Sequence, residues 1–346
     1  ASGWEHCLIL ETLLNASERA ARIARSCCMG SKDEILLVAE KAEGDANTRF
    51  NKDFKTIADV LAQEAARAEI AAHFPDLAEH VRGEECPEIG GVRICVDESI
   101  ENTMKILRQL IPEVVAKRMA EAAHCNIEHE ICKQLPKGIM SPIDISDIGI
   151  WIDPIDATSE FIAGVRGEAG ADNGLPCVTV LIGAYLRSTG VPVIGVINQP
   201  FFNKLIWGVS YGCTNEWGGS DIEKSPVTNT VLMSGGEKAE VIEMFRNSGW
   251  EVKSVPGAGH KLLKVAIGEA AAYVVSHGTT FRWDTCAPHA ILRARCGDLI
   301  SYSNQVPITY NDAYDLDTQR YCNSNGIIAY VDKSVLDKIV TISKSS

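Results

Sequence analysis

Apolar residues recur along this chain at two different spacings, and the change from one to the other organises it. Over residues 8–28 (LILETLLNASERAARIARSCC) they return every three or four positions with Arg and Glu between them, which predicts an amphipathic helix. Residues 54–72 (FKTIADVLAQEAARAEIAA) repeat that spacing with strong helix formers. Residues 74–87 start as a loop and end beyond the acidic pair Glu84–Glu85; a further helix is expected over 100–126 and an irregular connection over 127–145. The runs IGIWIDP, PCVTVLIGAYL, VPVIGVINQP and KLIWGVSYG then follow, short and β-branched, parted by Gly, Pro, Ser or Asn. They predict an antiparallel sheet, with STG at 188–190 as a hairpin turn. After about residue 225, TVLMSG, EVKSVP, AAYVVS and DLISYS read as strands alternating with the helical segments EKAEVIEMFRNSG, GHKLLKVAIG and DTCAPHAILRARCG. That alternation is the mark of an α/β unit. The expected organisation is an α+β domain over residues 1–222 and an α/β domain over 223–346, with no internal repeat.

Composition narrows the function classes. The chain of 346 residues is 46% hydrophobic and carries a net charge of −13 without a basic stripe, so no nucleic-acid partner is expected. An anionic ligand would need metal ions or a small local group of basic residues. No apolar run reaches 18 residues, and the first residues lack the pattern of a secretion signal, so neither a membrane nor an export role is expected. Twelve cysteines occur without a C-x-x-C pair, which argues for reduced thiols in the cytoplasm rather than a zinc site or a disulfide framework.

The chemistry concentrates at GIWIDPIDATSEF. Asp153 ends a buried run, and Asp156 and Thr158 follow on a turn stiffened by Pro154. Oxygen ligands this dense suit a hard divalent cation such as Mg²⁺, with the Ile155 carbonyl as a further ligand. Turn and N-cap roles explain Asp156 and Thr158 equally well on this stretch alone. By themselves, Glu84–Glu85 reads as a solvated pair, and Asp284, in TTFRWDTCAPHAILRA, as an ordinary helix cap. GAGHKL has too few glycines for a dinucleotide fingerprint, SGGEK lacks phosphate-loop spacing, and IEHEICK has no second histidine for a zinc-protease helix.

Taken in order, G-E-E, W-I-D-P-I-D-A-T and W-D-T-C-A-P-H-A-I-L resemble the signature of the lithium-sensitive, magnesium-dependent phosphomonoesterases. That group includes inositol monophosphatase, fructose-1,6-bisphosphatase, the 3′(2′),5′-bisphosphate nucleotidases and the inositol polyphosphate 1-phosphatases. DFKTIADVLAQE, CVTVLIGAY, TGVPVIGVINQPF, WGVSYGCTN and TTFRWDTCAPHAILRA are most similar to the last branch, over about residues 50–296. WDTCAP and VTVLIG…GVINQP also resemble the bisphosphate nucleotidases, which keeps a 3′-phosphoadenosine 5′-phosphate phosphatase open as the alternative. Residues 88–145 and 300–322 carry no usable motif.

The resemblance implies a five-layer αβαβα sandwich of the inositol monophosphatase and fructose-1,6-bisphosphatase type. It implies Glu84, Asp153 and the Ile155 carbonyl around one Mg²⁺, and Asp153, Asp156 and Asp284 around a second. Thr158 and Glu84 would position the attacking water, Asp59 would stand near a third, weaker cation, and Glu85 behind the ligands. Backbone N–H groups at Asp156, Ala157 and Thr158 would face phosphate oxygens. For substrate it points to Ser234, to Gly257, Ala258 and Gly259 as donors to hydroxyls, and to Lys261 for a second phosphate. His289 fits ligand contact and a buried structural role equally. The implied activity is removal of the 1-phosphate from inositol 1,4-bisphosphate and inositol 1,3,4-trisphosphate by a monomer with two or three Mg²⁺, inhibited by Li⁺ and Ca²⁺. A catalytically silent scaffold of this fold would have lost Glu84 or Asp284, and both are present.

Overall fold

In the computed structural model, which describes residues 3–28, 38–41, 54–127, 130–135, 143–219, 228–311 and 320–344, the two spacings build two sheets with helices outside and between them. The chain opens with α1 (Gly3–Ser26), the antiparallel pair β1 (Val38–Glu40) and β2 (Phe54–Thr56), and α2 (Ile57–His73). Next come a 3-10 turn over Pro75–His80, β3 (Val81–Gly83), the hairpin of β4 (Glu88–Ile89) and β5 (Val92–Arg93), and α3 (Ile100–Leu107), α4 (Glu113–His124) and α5 (Glu130–Gln134). The central part is β6 (Ile148–Asp156), α6 (Thr158–Arg166), β7 (Thr179–Leu186), β8 (Pro192–Gln199), β9 (Lys204–Tyr211) and β10 (Thr214–Gly219). The remainder is β11 (Thr230–Met233), α7 (Ala239–Asn247), β12 (Glu251–Ser254), α8 (Ala258–Ala266), β13 (Ala272–Val275), α9 (Arg282–Ala294), β14 (Asp298–Ile300), β15 (Ile327–Tyr330) and α10 (Lys333–Lys344).

The first sheet runs β10-β9-β8-β7-β6-β3, antiparallel except where β3 lies parallel to β6. The second runs β12-β11-β13-β15-β14, with β11 parallel to both neighbours and β15 antiparallel to both of its own. Period-two alternation sends Ile150, Ile152, Val180, Ile182, Ile194 and Val196 to the face covered by α1 and α2. Trp151, Leu181, Tyr185 and Ile197 face the other way, into a core shared with Leu262 of α8, Ile291 of α9 and Tyr273 and Ala329 of the second sheet. Val231, Met233, Val274 and Ile328 then face outward against Phe245 of α7 and Ile339 of α10. The layers are therefore helix, sheet, helix, sheet, helix, the expected five-layer sandwich.

Local structure departs from expectation in several places. The helix expected over 100–126 is two helices, because Pro112 lacks the N–H that a continuing helix would use and instead caps α4. Residues 75–83 are a 3-10 turn and an edge strand rather than a loop, and β10, β15 and α10 carried no readable pattern. Of the connection expected over 127–145, residues 130–134 form α5; positions 128–129, within IEHEICK, and 136–142 lie outside the described residues. So does the division expected between residues 222 and 223, although the strands of the first sheet end at 219 and those of the second begin at 230. Among the described residues, no helix is long and apolar enough to cross a membrane.

One feature sets the spacing of the middle layers. Gly183, Gly195 and Gly208 are register partners across β7, β8 and β9, with Trp151 and Trp217 at the two ends of the row. A Cβ at Gly183 would stand 2.5 Å from the Ala287 nitrogen, at Gly195 2.0 Å from the Ala287 carbonyl oxygen, and at Gly208 2.7 Å from the Ile291 Cα. Helix α9 thus lies directly on bare backbone, in a trough walled by two indoles. Gly195→Ala should force α9 off the sheet and lower stability by about 1–3 kcal/mol or more, the scale of core overpacking. Gly170→Ala, whose Cβ would meet nothing within 4 Å, is the control and should stay within about 0.5 kcal/mol. Urea denaturation of both variants checks this; equal stabilities would refute the close-packing role.

Candidate active site

Asp153 and Asp156 are three residues apart on β6, a spacing that would send them to opposite faces of a regular strand. The strand is not regular. Asp153 pairs with Leu181 and Asp156 with Thr179, so three steps on β6 match two on β7, and the extra residue forms a bulge at Pro154–Ile155. Pro154 has no N–H to give a ladder, which favours the bulge there. The stretch read as a turn from sequence is therefore a bulged strand, and the bulge brings both carboxylates to one side. Ala157 then takes a left-handed conformation (φ 67°), ending β6 and starting α6 at Thr158.

Asp284 arrives from the first turn of α9, where one carboxylate oxygen accepts the Phe281 N–H at 2.8 Å. Oxygens of Asp153, Asp156 and Asp284, all three side chains buried, lie within 4.8 Å of one another. Asp156 Oδ2 accepts the Gly259 N–H at 2.8 Å and the Thr179 hydroxyl at 3.3 Å. Asp153 Oδ1 is buried without a hydrogen-bond partner among the described residues. Burial first, then the charges of Glu84, Asp156 and Asp284, hold Asp153 well above the ordinary carboxylate range. Burial, with Asp156 and Glu84, does the same to Asp284, and burial lifts Asp156 to about 6. These carboxyls are crowded together more closely than free carboxylates tolerate. An orphaned oxygen in an all-oxygen donor set is what a hard divalent ion would occupy, so the residues fit Mg²⁺.

Glu84 joins them from the end of β3, its N–H bonded to the Ile152 carbonyl of the neighbouring strand at 3.0 Å. Its carboxylate pairs with the Lys41 ammonium, which also lies 3.3 Å from Glu85. Glu85 is buried, and its backbone N–H and carbonyl are both tied to the Gln63 amide (2.9 and 2.6 Å). Asp59 opens α2. One of its oxygens accepts the Thr56 N–H at 2.8 Å and the Thr56 hydroxyl, and the other accepts the Thr158 hydroxyl at 3.0 Å. Burial raises Asp59 to about 6. Both of its oxygens are engaged, and one of them ties Asp59 to Thr158.

A cleft of about 510 Å³ collects these groups. Glu84, Asp153, Ile155, Asp156, Ala157, Thr158, Ser234, Gly257, Ala258, Lys261 and Asp284 all line it. The starts of α6, α8 and α9 open onto it, each presenting the positive end of a helix dipole. Lys261 is buried in the wall, its ammonium donating to the Val255 carbonyl at 2.7 Å and lying 5.2 Å from the Tyr273 ring centroid. Two expectations need correction. Gly259 commits its N–H to Asp156 and so is not available to a ligand hydroxyl. His289 is fully buried away from the cleft, with Asp298 2.6 Å from Nε2 and the Tyr310 hydroxyl 2.9 Å from Nδ1. Burial lowers its pKa, so the ring is a neutral clamp between α9 and β14. The sequence reading missed Lys41, which no motif surrounds, and Thr179, which a polar residue inside an otherwise apolar strand could have flagged.

Comparison with known proteins agrees with this geometry. Residues 9–344 match the sequence profile of the inositol monophosphatase family. The chain is 32% identical to human inositol polyphosphate 1-phosphatase and 34% identical to the mouse protein, in each case over 96% of both chains. It is 29% identical to human 3′(2′),5′-bisphosphate nucleotidase 1 over 89% of both. Among solved structures it superposes on extragenic suppressor protein suhB of Bartonella henselae with a TM-score of 0.59, covering 98% of this chain and 100% of that one at 14% identity. An inositol monophosphatase from Zymomonas mobilis gives a TM-score of 0.56 at 14% identity, covering 99% and 100%. The structural likenesses speak for the fold, and the sequence matches for the kinship: the chain belongs to the inositol monophosphatase family.

Proposed function

We propose that this protein is a magnesium-dependent phosphoric monoester hydrolase that removes the 1-phosphate of inositol 1,4-bisphosphate and inositol 1,3,4-trisphosphate. The observation that carries the reading is the buried cluster of Asp153, Asp156 and Asp284 at a cleft framed by helix N-termini. A phosphate dianion cannot approach such carboxylates unaided, and the helix dipoles, each equivalent to about half a charge, do not offset them. Glu84, Asp153 and the Ile155 carbonyl would hold one Mg²⁺, and Asp153, Asp156 and Asp284 a second. Bound there, Mg²⁺ supplies charge neutralisation of the ester and a lower pKa for water.

The chain's own groups then have separable tasks. Thr158 donates its proton to Asp59, which leaves its oxygen lone pairs to accept a hydrogen bond from the attacking water. Asp59, raised to about 6, is matched in strength to take up a proton passed through Thr158 near neutral pH. Glu84 flanks the water from the other side. N–H groups at the start of α6 orient phosphate oxygens. Lys261 would serve a second phosphate by exchanging its bond to Val255 for the ligand. The higher identity and coverage of the inositol polyphosphate 1-phosphatases favour an inositol phosphate over a bisphosphate nucleotide. Lithium and calcium inhibition, a cytoplasmic location and a monomeric state belong to the same proposal.

Asp153→Asn should lower turnover by about 10³, the scale of losing a principal electrostatic stabiliser, while raising the thermal stability of the metal-free protein by relieving repulsion. Retention of more than about a tenth of turnover at saturating Mg²⁺ would contradict the shared-ligand role. Thr158→Ala and Asp59→Asn should each cut kcat by about 10²-fold or more with little change in KM, and the double variant should cost scarcely more than the worse single one. Additive losses, or a KM effect alone, would separate the two residues. Side-by-side phosphate release from inositol 1,4-bisphosphate and adenosine 3′,5′-bisphosphate tests the substrate class, and preference for the nucleotide would overturn it. In the same assay, with ionic strength held by KCl, LiCl should inhibit more strongly as substrate rises.

A further inference from the structure

The hairpin that follows Glu84 carries two cysteines that the cleft does not use. β4 and β5 pair Ile89 with Val92 and Glu88 with Arg93 across Gly90 and Gly91. Those glycines have φ of 60° and 77°, as a two-residue type I′ turn requires. One step beyond the strands, the Ile94 N–H donates to the Pro87 carbonyl at 2.8 Å, so the register continues outward. Carried one step further, the same register would set Cys86 against Cys95. The exposure pattern keeps the same phase throughout. Ile89 and Ile94 are buried and Pro87 and Val92 half-buried, whereas Cys86, Glu88, Arg93 and Cys95 are all exposed. This alternation is the pattern that both cysteines give when they continue the ladder on its solvent face. Since 89/92 and 87/94 are the hydrogen-bonding pairs, 86/95 falls in the closer, non-hydrogen-bonded class, with Cα atoms about 4.5 Å apart. Cβ atoms in such pairs approach to about 4.5–5.5 Å, near the separation of about 3.5–4.5 Å that a disulfide spans.

We propose that Cys86 and Cys95 form a redox-responsive dithiol pair, oxidised to an intramolecular disulfide by a small disulfide such as oxidised glutathione. The thiolate of one cysteine attacks a sulfur of the oxidant, forming a mixed disulfide and releasing one glutathione thiolate. The second cysteine, as its thiolate, attacks the protein-side sulfur and expels the other glutathione. The two protein thiols lose two electrons and two protons, and the oxidant gains them as two thiols. Both cysteines are exposed, so the bond is open to reduction as well as oxidation. It would tie the mouth of the hairpin two residues beyond Glu84 and next to Glu85, whose backbone N–H and carbonyl the Gln63 amide holds.

The test uses the full chain, reduced, incubated with oxidised glutathione, blocked at remaining thiols and digested with trypsin without reduction. Cleavage after Arg82, Arg93 and Lys105 puts the two cysteines on separate peptides, 83–93 and 94–105. Mass spectrometry should find these joined, with the link lost on adding dithiothreitol. Cys95→Ser should abolish the joined species and leave glutathione on Cys86, and Cys86→Ser should do the converse. The proposal fails if the two wild-type peptides are recovered as thiols, each carry glutathione separately, or are joined to other cysteines such as the exposed Cys28 or Cys213.

Discussion

Carboxylate oxygens held within 4.8 Å of one another and away from water repel, and the rest of this site is organised around that fact. At an effective dielectric near 20, each ionised pair at such a distance costs about 3 kcal/mol. The metal-free fold meets the cost with protons: Asp153, Asp156 and Asp284 all titrate above the ordinary range. A carboxyl whose folded pKa is raised contributes stability below its unfolded pKa near 4 and loses it as pH rises through the folded value, about 6 for Asp156. Near neutral pH, then, the crowded carboxylates weaken the fold, and a cation held among them would offset that cost. The same charge balance governs binding, since a dianionic ester enters only where cations have reversed the local field.

Two backbone devices hold the cluster in its unfavourable state. The bulge at Pro154–Ile155 turns Asp156 to the side of Asp153, and the glycine row across β7, β8 and β9 lowers α9 until Asp284 meets them. His289 adds a third constraint by locking α9 to Asp298 and Tyr310. The large buried core on both faces of the first sheet supplies the stability against which the strain at Ala157 and the crowded charges are set.

Much of this was legible in the sequence. Four strands of the first sheet, β6 to β9, follow from the short β-branched runs, and the alternation after residue 225 indicates the second layer. Of the carboxylates lining the cleft, Glu84, Asp153, Asp156 and Asp284 were named from their motifs and Glu160 was not. What could not be read has physical reasons. A helix-capping role and a site role looked like rivals for Asp284, and no cap was read for Asp59, yet each spends one oxygen on its helix start and turns the other to the site or to Thr158. The bulge depends on a register with β7 that no local pattern encodes, so the acidic stretch looked like a turn. Lys41 reaches Glu84 from 43 positions away with nothing around it to mark the contact. His289 stood one helical turn past Asp284, but five residues along a helix carries a side chain well round the axis, into the core instead of the cleft.

The central claim is that the buried carboxylates form a cation site. Calorimetric titration of Mg²⁺ into the metal-free protein at pH 6, in two buffers of different ionisation enthalpy, tests it most directly. The account predicts saturable binding of at least two ions, with net release of protons from the raised carboxyls and a tighter apparent affinity at higher pH. Absence of saturable Mg²⁺ binding in the millimolar range would contradict it.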